Sequence, residues 1–198
     1  MQLDIKSLAL FCGSQEGNDV RYVQIASEFG AKCADYGLVL YYGGARLGLM
    51  KAAAEASMQR GGRVVGIMPE IFTDNVVVAD NITEMVRVKS MSERKQTMER
   101  LADAFVALPG SFGTMDELFE ILTDAQLGLH KKPVVILNAF GYYDGLLNQL
   151  MKFEKEGFLR PFHQGLLMSA GSVDEVFEKI AGYQNPNDEA WLAKHLVR

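Results

Sequence analysis

Short apolar segments alternate with amphipathic segments along most of the chain. The apolar segments are about four to six residues long, as buried strands are, and the intervening segments carry apolar positions at helical spacing. Strands are predicted at 7–12, 38–42, 64–68, 85–88, 104–108 and 134–137, and a further apolar run lies at 166–168. Helices are predicted at about 19–36, after 50 toward 61, around 91–101, from 114 onward, at 146–156 and after 172.

This alternation predicts an α/β fold, because short connections between strands and helices favour right-handed parallel crossovers. We expect a Rossmann-like three-layer sandwich with a mainly parallel sheet. Its 198 residues suit a single Rossmann-like domain spanning 1–198. Segment 70–84 has no clear period and is predicted as a loop with a short helical piece, whereas 188–197, with Trp191, is predicted as a helix.

The composition of the chain excludes several classes of function. The net charge is −5, which argues against a nucleic-acid-binding surface. No apolar run approaches the roughly 20 residues that span a bilayer, and the N-terminus has no signal-peptide layout, so we expect no membrane association and a cytoplasmic location. Two cysteines and three histidines are scattered along the sequence, so no metal site is expected.

The most informative stretch follows the strand at 104–108. It runs from a glycine loop into a helix predicted to open at Thr114, an arrangement that offers free N–H groups and a positive helix end to a phosphate. Thr114 and Glu117 also match a capping box. Ser172 and Glu175 repeat that pattern without a glycine loop, so capping remains an alternative role for Glu117. The candidate substrate-binding residues of the loop are Pro109, Gly110, Ser111, Phe112, Gly113 and Thr114.

Two other strands also end on small residues. Gly13 and Ser14 follow the first strand, and Gly43 and Gly44 follow the second. Ligands of open parallel sheets bind outside the carboxyl ends of the strands. The three loops therefore predict a nucleotide-sized crevice, to which all four residues are expected to contribute.

A charged residue interrupts the apolar stripe of the helix around 91–101. Arg94 lies in line with Met91, Met98 and Leu101, and it occupies the first turn, where the helix dipole opposes a cation. Arg94 could pair with a buried carboxylate or extend its head to water. Next to a glycine rim it could instead bind phosphate or ribose oxygens, as could the adjacent Lys95.

Several common enzyme classes lack their motifs here. The sequence has no Walker loop, no Gly-x-Gly-x-x-Gly after the first strand and no Gly-x-Ser-x-Gly elbow. An arginine and a carboxylate beside a nucleotide crevice are compatible with cleavage of an N-glycosidic bond. Glu117 and Glu120 lie one turn apart, and both could face a cleft or solvent.

These motifs together resemble the LOG (Lonely Guy) family of cytokinin riboside 5'-monophosphate phosphoribohydrolases, often mislabelled as lysine decarboxylases. The resemblance extends over most of the chain and is carried by 11–14, 42–44, 94–95, 109–117, 126–130 and 141–143. It implies hydrolysis of a nucleoside 5'-monophosphate to ribose 5-phosphate and free base by a homodimer without metal or organic cofactor. It places Arg94 and Glu117 in the catalytic roles, with Lys95 and the 109–114 loop contacting the nucleotide.

The chain departs from the family pattern at several positions. Ser111 replaces the second glycine of the loop, where a Cβ would be awkward if the backbone required positive φ. Ser92 replaces a common histidine, Lys51 stands where glycine is usual, and the loop at 73–75 has no glutamate. Two alternatives to the enzyme stay open: a non-catalytic nucleotide or cofactor carrier using the same crevice, and purely structural roles for Arg94 and Glu117.

Overall fold

Seven parallel strands form one sheet in the order β4-β3-β2-β1-β5-β6-β7 in the computed structural model, which describes residues 3–72 and 78–187. The strands are β1 (Ser7–Phe11), β2 (Val39–Tyr42), β3 (Val64–Pro69), β4 (Glu84–Val88), β5 (Ala104–Ala107), β6 (Val134–Leu137) and β7 (Leu167–Ala170). The predicted strands are all present, and the apolar run at 166–168 belongs to β7.

Helices cover both faces of the sheet. They are α1 (Arg21–Asp35), α2 (Gly48–Gln59), α3 (Met91–Leu101), α4 (Phe112–Gln126), α5 (Asp144–Lys155) and α6 (Val173–Ala181). One core joins α1, α2 and α6 to the sheet, and a second core joins α3, α4 and α5 to it. Strands β5 and β6 are buried along their whole length and contain only apolar residues, as strands covered on both faces do. The predicted α/β three-layer sandwich with a mainly parallel sheet is confirmed.

Helices α1 and α2 approach each other closely at one glycine. Gly30 of α1 faces the carbonyl of Ala53 in α2, and a methyl group at Gly30 would lie 1.9 Å from that oxygen. Real atoms cannot approach so closely, so packing between the two helices requires glycine at this position.

The position of β1 sets the location of the crevice. β1 pairs with β2 on one side and β5 on the other, so the strand order reverses at β1. The loops after these three strands emerge next to one another at the carboxyl edge of the sheet. Ligands of open α/β sheets bind at such a switch point.

Some expectations fall wholly or partly outside the described residues. These include the predicted helix at 188–197 with Trp191, the departure from the family pattern at 73–75 and part of the 70–84 segment, whose described residues contain no helix. Across 3–72 and 78–187, no helix has the length and apolar character needed to cross a bilayer. The single domain and the cytoplasmic location stay predictions.

Candidate active site

The three predicted glycine loops contact one another at the carboxyl edge of the sheet. The N–H of Gly13 donates to the Pro109 carbonyl (3.0 Å), and the Gly13 carbonyl accepts from the N–H of Leu49 (3.1 Å). Gly48, which starts α2, has a φ of +54°, and a methyl group there would lie 2.4 Å from the carbonyl carbon of Ser14. The loops after β1, β2 and β5 therefore form one continuous rim.

The loop after β2 brings its backbone against Arg94. A methyl group at Gly43 would lie 2.6 Å from Nη2 of Arg94, so the guanidinium occupies the space that a side chain at this position would need. Gly44 has a φ of +78°, a conformation that side chains rarely adopt. Glycine is thus required at position 43 by the neighbouring Arg94 side chain and at position 44 by the backbone conformation.

The first turn of α4 has no side-chain cap. Its N-cap residue, Ser111, makes no capping hydrogen bond. By contrast, Ser90 caps α3, and the Ser172 hydroxyl accepts from the N–H of Glu175 at the start of α6, as predicted. The first N–H groups of α4 lie at the positive end of the helix dipole, and an anion is the ligand that such an end favours.

The predicted helix start at Thr114 and its capping box are wrong. The helix starts two residues earlier, and Thr114 is a buried residue of its first turn. A methyl group at Gly110 would lie 2.0 Å from the Thr114 hydroxyl oxygen. Glu117 lies one turn further along and binds Arg94 instead of capping the helix. The backbone at Ser111 does not require the positive φ that would have made a Cβ awkward, because its φ of −117° is open to any L-residue.

Arg94 of α3 and Glu117 of α4 form a buried ion pair. Nη2 of Arg94 donates to Oε1 of Glu117, and the two side chains are only 12% and 7% exposed. Nη1 lies 3.8 Å from the Met91 sulfur, and Nε is buried without a hydrogen-bond partner among the described residues. The buried carboxylate that the sequence allowed as a partner for Arg94 is therefore Glu117. The structure brings the two predicted catalytic residues together.

Burial dominates the ionisation of groups around this pair. It raises the pKa of the Glu117 carboxyl from 4.5 to about 7, while the Arg94 guanidinium opposes the rise and Asp116 adds to it. Burial, together with Glu117, also raises the pKa of the Cys12 thiol, which stays protonated at neutral pH. No three His, Cys, Asp or Glu side chains converge as metal ligands would in the part of the chain described.

Lys95 forms a second connection between α3 and α4. Its ammonium binds Glu120 and lies 3.0 Å from Oδ2 of Asp116, and these carboxylates raise the pKa of Lys95. Glu117 and Glu120 therefore face different cations, although they lie one turn apart on the same helix. The contact between Lys95 and a nucleotide stays a prediction, since its ammonium is already paired.

Comparison with known proteins establishes the family. The sequence profile of a family described as possible lysine decarboxylase matches residues 50–180. The chain is 39% identical over 178 residues to cytokinin riboside 5'-monophosphate phosphoribohydrolase LOG1 of Arabidopsis thaliana, covering 90% of this chain and 84% of that protein. It is 41% identical over 182 residues to the probable enzyme of the same name, LOGL9, from Oryza sativa subsp. japonica, covering 92% and 80%. The chain belongs to the LOG family.

Solved structures share the fold of this LOG-family chain. The molybdenum cofactor binding protein from Rippkaea orientalis superimposes with a TM-score of 0.67 at 22% identity, covering 88% of this chain and 95% of that one. The protein TM1055 gives a TM-score of 0.68 at 23% identity, covering 88% and 98%. At this level of identity the likeness is one of architecture alone.

Two contacts of this LOG-family site involve tyrosines to which no role was assigned from the sequence. The hydroxyls of Tyr142 and Tyr143 donate to the carbonyls of Gly110 and Leu108, each at 2.6 Å. The sequence shows a pair of tyrosines after Gly141, but no local sequence pattern indicates that they bind the loop of a neighbouring strand.

An apolar groove of about 610 Å³ lies between α4 and α5. Met151 and Phe158 on its border are 56% and 84% exposed. A shallower groove follows the same face of α4 and reaches Phe112, a predicted substrate-binding residue whose side chain is 93% exposed. Neither groove is lined by Arg94 or Glu117, and the shallower one also contains Asp116, Glu120 and Asp124. The apolar groove between α4 and α5 is therefore separate from the ion pair.

Proposed function

We propose that this protein hydrolyses the N-glycosidic bond of an adenosine 5'-monophosphate, either plain or N6-modified, to give free base and ribose 5-phosphate. The relatives described above are named as phosphoribohydrolases of cytokinin riboside 5'-monophosphates. The observation that carries the proposal is the buried pair of Arg94 and Glu117 at the glycine rim. It provides a cation and a carboxylate where a bound nucleotide would lie.

The phosphate would bind the uncapped N-terminus of α4. Loop residues 110–114 would present backbone N–H groups, and the loops that contain Gly13 and Gly43 would flank the nucleotide. One helical pitch, about 5.4 Å, separates the first turn of α4 from the second. Glu117 would therefore lie beside the ribose instead of the phosphate.

Cleavage would break the bond between the anomeric carbon and the base while positive charge develops on the sugar. Ionised Glu117 would hold the ribose hydroxyls and stabilise that charge, and its burial strengthens the interaction. Water would add its oxygen to the anomeric carbon, and the base would leave with a proton. Arg94 would help to bind and polarise the substrate.

Release of free base tests the proposal. Purified protein is incubated with AMP and, separately, with isopentenyladenosine monophosphate, and free base is quantified by chromatography. We expect Glu117→Gln to lower the rate about 10²- to 10³-fold with the fold retained. Glu120→Gln is the matched control, because it makes the same change one turn away and should keep nearly full activity. Unchanged turnover in Glu117→Gln would reject the role of Glu117.

The substrates separate the candidate functions. Release from the modified nucleotide alone would identify a cytokinin-activating enzyme, and release from AMP as well would identify a broader nucleosidase. Tight binding without release from either would favour the carrier, the second candidate, to which the departure at Ser92 gives some support.

We also propose that two copies associate through the apolar face of α4 and α5. A two-fold interface would cover the apolar groove and the exposed Met151 and Phe158 on its border in both copies at once. Phe158→Asp should shift the mass measured by light scattering from dimer to monomer. Val20→Asp, which changes an apolar residue that is 67% exposed at the start of α1, should not. A dimer that tolerates Phe158→Asp would exclude this face.

A further inference from the structure

The chain after β6 makes a turn with two consecutive left-handed residues. Phe140 and Gly141 have φ values of +58° and +72°, and Phe140 is the one non-glycine residue of the described ranges with positive φ. Asn138 holds the turn, because its side-chain oxygen accepts from the N–H of Tyr143 (2.6 Å) and its amide donates to Asp144 (2.8 Å). A residue with a Cβ adopts this conformation only where its surroundings impose it.

The turn directs two tyrosines at the glycine loop of β5. The Tyr143 hydroxyl donates to the Leu108 carbonyl and the Tyr142 hydroxyl donates to the Gly110 carbonyl, both at 2.6 Å. The carbonyl between them, that of Pro109, accepts from the backbone of the β1 loop. Three successive carbonyls of the loop thus have three separate donors.

Peptide planarity gives the Tyr142 bond a consequence for ligand binding. In a trans peptide the C=O and the N–H point in opposite directions, so holding the Gly110 carbonyl also fixes the Ser111 N–H. We propose that Tyr142 is a positioning residue, which keeps the Ser111 N–H turned toward the crevice to bind the substrate phosphate. This inference rests on the proposed function, in which that phosphate binds at the N-terminus of α4.

Tyr142 and Tyr143 differ in burial, so they serve different purposes. Tyr143 is 3% exposed, and loss of its hydroxyl would leave the Leu108 carbonyl buried and unpaired, which destabilises a fold. Tyr142 is 41% exposed, and water can replace its hydroxyl at the Gly110 carbonyl. Its ring contacts Tyr22 at a centroid distance of 5.7 Å, a contact that phenylalanine keeps. Loss of the Tyr142 hydroxyl should therefore affect the orientation of the loop more than stability.

Calorimetric titration with ribose 5-phosphate and with adenosine tests the inference. Tyr142→Phe should bind ribose 5-phosphate about five- to tenfold more weakly, as loss of one orienting hydrogen bond implies. Its affinity for adenosine, which has no phosphate, and its melting temperature should be unchanged. With AMP as substrate, KM should rise by a similar factor and kcat should stay within about twofold. Tyr36→Phe is the matched control, because the Tyr36 ring packs on Phe177 and its hydroxyl has no hydrogen bond among the described residues.

The outcomes separate this inference from the proposed function. If Tyr142→Phe binds ribose 5-phosphate as tightly as the wild type, or loses adenosine equally, the positioning role is overturned while hydrolysis is untouched. If the wild type binds ribose 5-phosphate more tightly than the variant but releases no base, the positioning role stands and the proposed function fails. A wild type that does not bind ribose 5-phosphate would overturn the positioning role, whereas the proposed function would still be decided by base release from AMP.

Discussion

The pH dependence of kcat/KM reports directly on the environment of Glu117. Burial raises the pKa of this carboxyl to about 7, and the proposed mechanism requires its ionised form. About one tenth of such a group is ionised at pH 6 and about nine tenths at pH 8, so kcat/KM should rise about tenfold between them. A carboxyl at its ordinary pKa of 4.5 would be ionised at both pH values, and the rate would hardly change.

Asp116→Asn identifies Glu117 as the group that titrates. The negative charge of Asp116 raises the pKa of Glu117, and the positive charge of Lys95 lowers it. Removing the Asp116 charge eliminates the effect that raises the pKa and leaves the Lys95 charge less neutralised. The midpoint of the pH profile of kcat/KM should therefore move to lower pH. Asp124→Asn removes the same charge about two turns further along α4 and should leave the midpoint in place. The phosphate of AMP titrates near pH 6, but it does so equally for all three proteins.

The assay is base release at subsaturating AMP from about pH 5 to 9, with circular dichroism at each pH to confirm the fold. A profile that is flat between about pH 6 and 8 would refute the reasoning that burial sets the pKa of Glu117. A midpoint that Asp116→Asn does not move would show that another group titrates.

Three further predictions concern stability and packing. Because the pKa of Glu117 is higher in the folded than in the unfolded chain, the folded protein binds one more proton than the unfolded chain between about pH 4.5 and 7. Relative to Glu117→Gln, the wild type should therefore lose up to about 3 kcal/mol of unfolding free energy, measured in urea, as pH rises through this window. A difference in unfolding free energy between the two proteins that stays constant with pH would contradict the raised pKa. Gly43→Ala should displace the Arg94 guanidinium and lower kcat/KM at least about tenfold, and it should also lower the melting temperature, because the displacement weakens a buried ion pair; full activity would show that the contact is not needed. Gly30→Ala should cost about 1–3 kcal/mol of unfolding free energy, whereas at Gly145 in α5 an added methyl meets no neighbour and should be neutral or slightly stabilising; equal effects would contradict the close contact between α1 and α2.

Much of the fold could be predicted because its determinants are local. The five apolar residues from Ala104 to Leu108 and the helical spacing around Phe29 depend on nearby sequence alone. The meeting of the Gly13, Gly43 and Pro109 loops could also be predicted, since it follows from a general rule about the carboxyl ends of parallel strands.

Contacts between distant residues could not be predicted in the same way. Thr114 and Ser172 each stand three residues before a glutamate, yet only Ser172 caps its helix. The difference is that α4 starts two residues before Thr114 and that Glu117 binds Arg94, which lies 23 residues earlier in the chain. The Tyr142 hydroxyl likewise binds a carbonyl 32 residues away, and the apolar groove depends on how α4 and α5 pack.

The hydrogen bonds of Gly13 determine where the chain could accept inserted peptides. Both polar groups of its backbone bind flanking loops, so lengthening the turn after β1 by even one residue would misalign the rim on two sides. The turns at Gly37 and Gly61 lie before β2 and β3, at the opposite edge of the sheet, and an added methyl there meets nothing. An epitope or reporter peptide placed at either turn should leave the crevice intact, whereas the same insertion at residues 13–15 should abolish nucleotide binding.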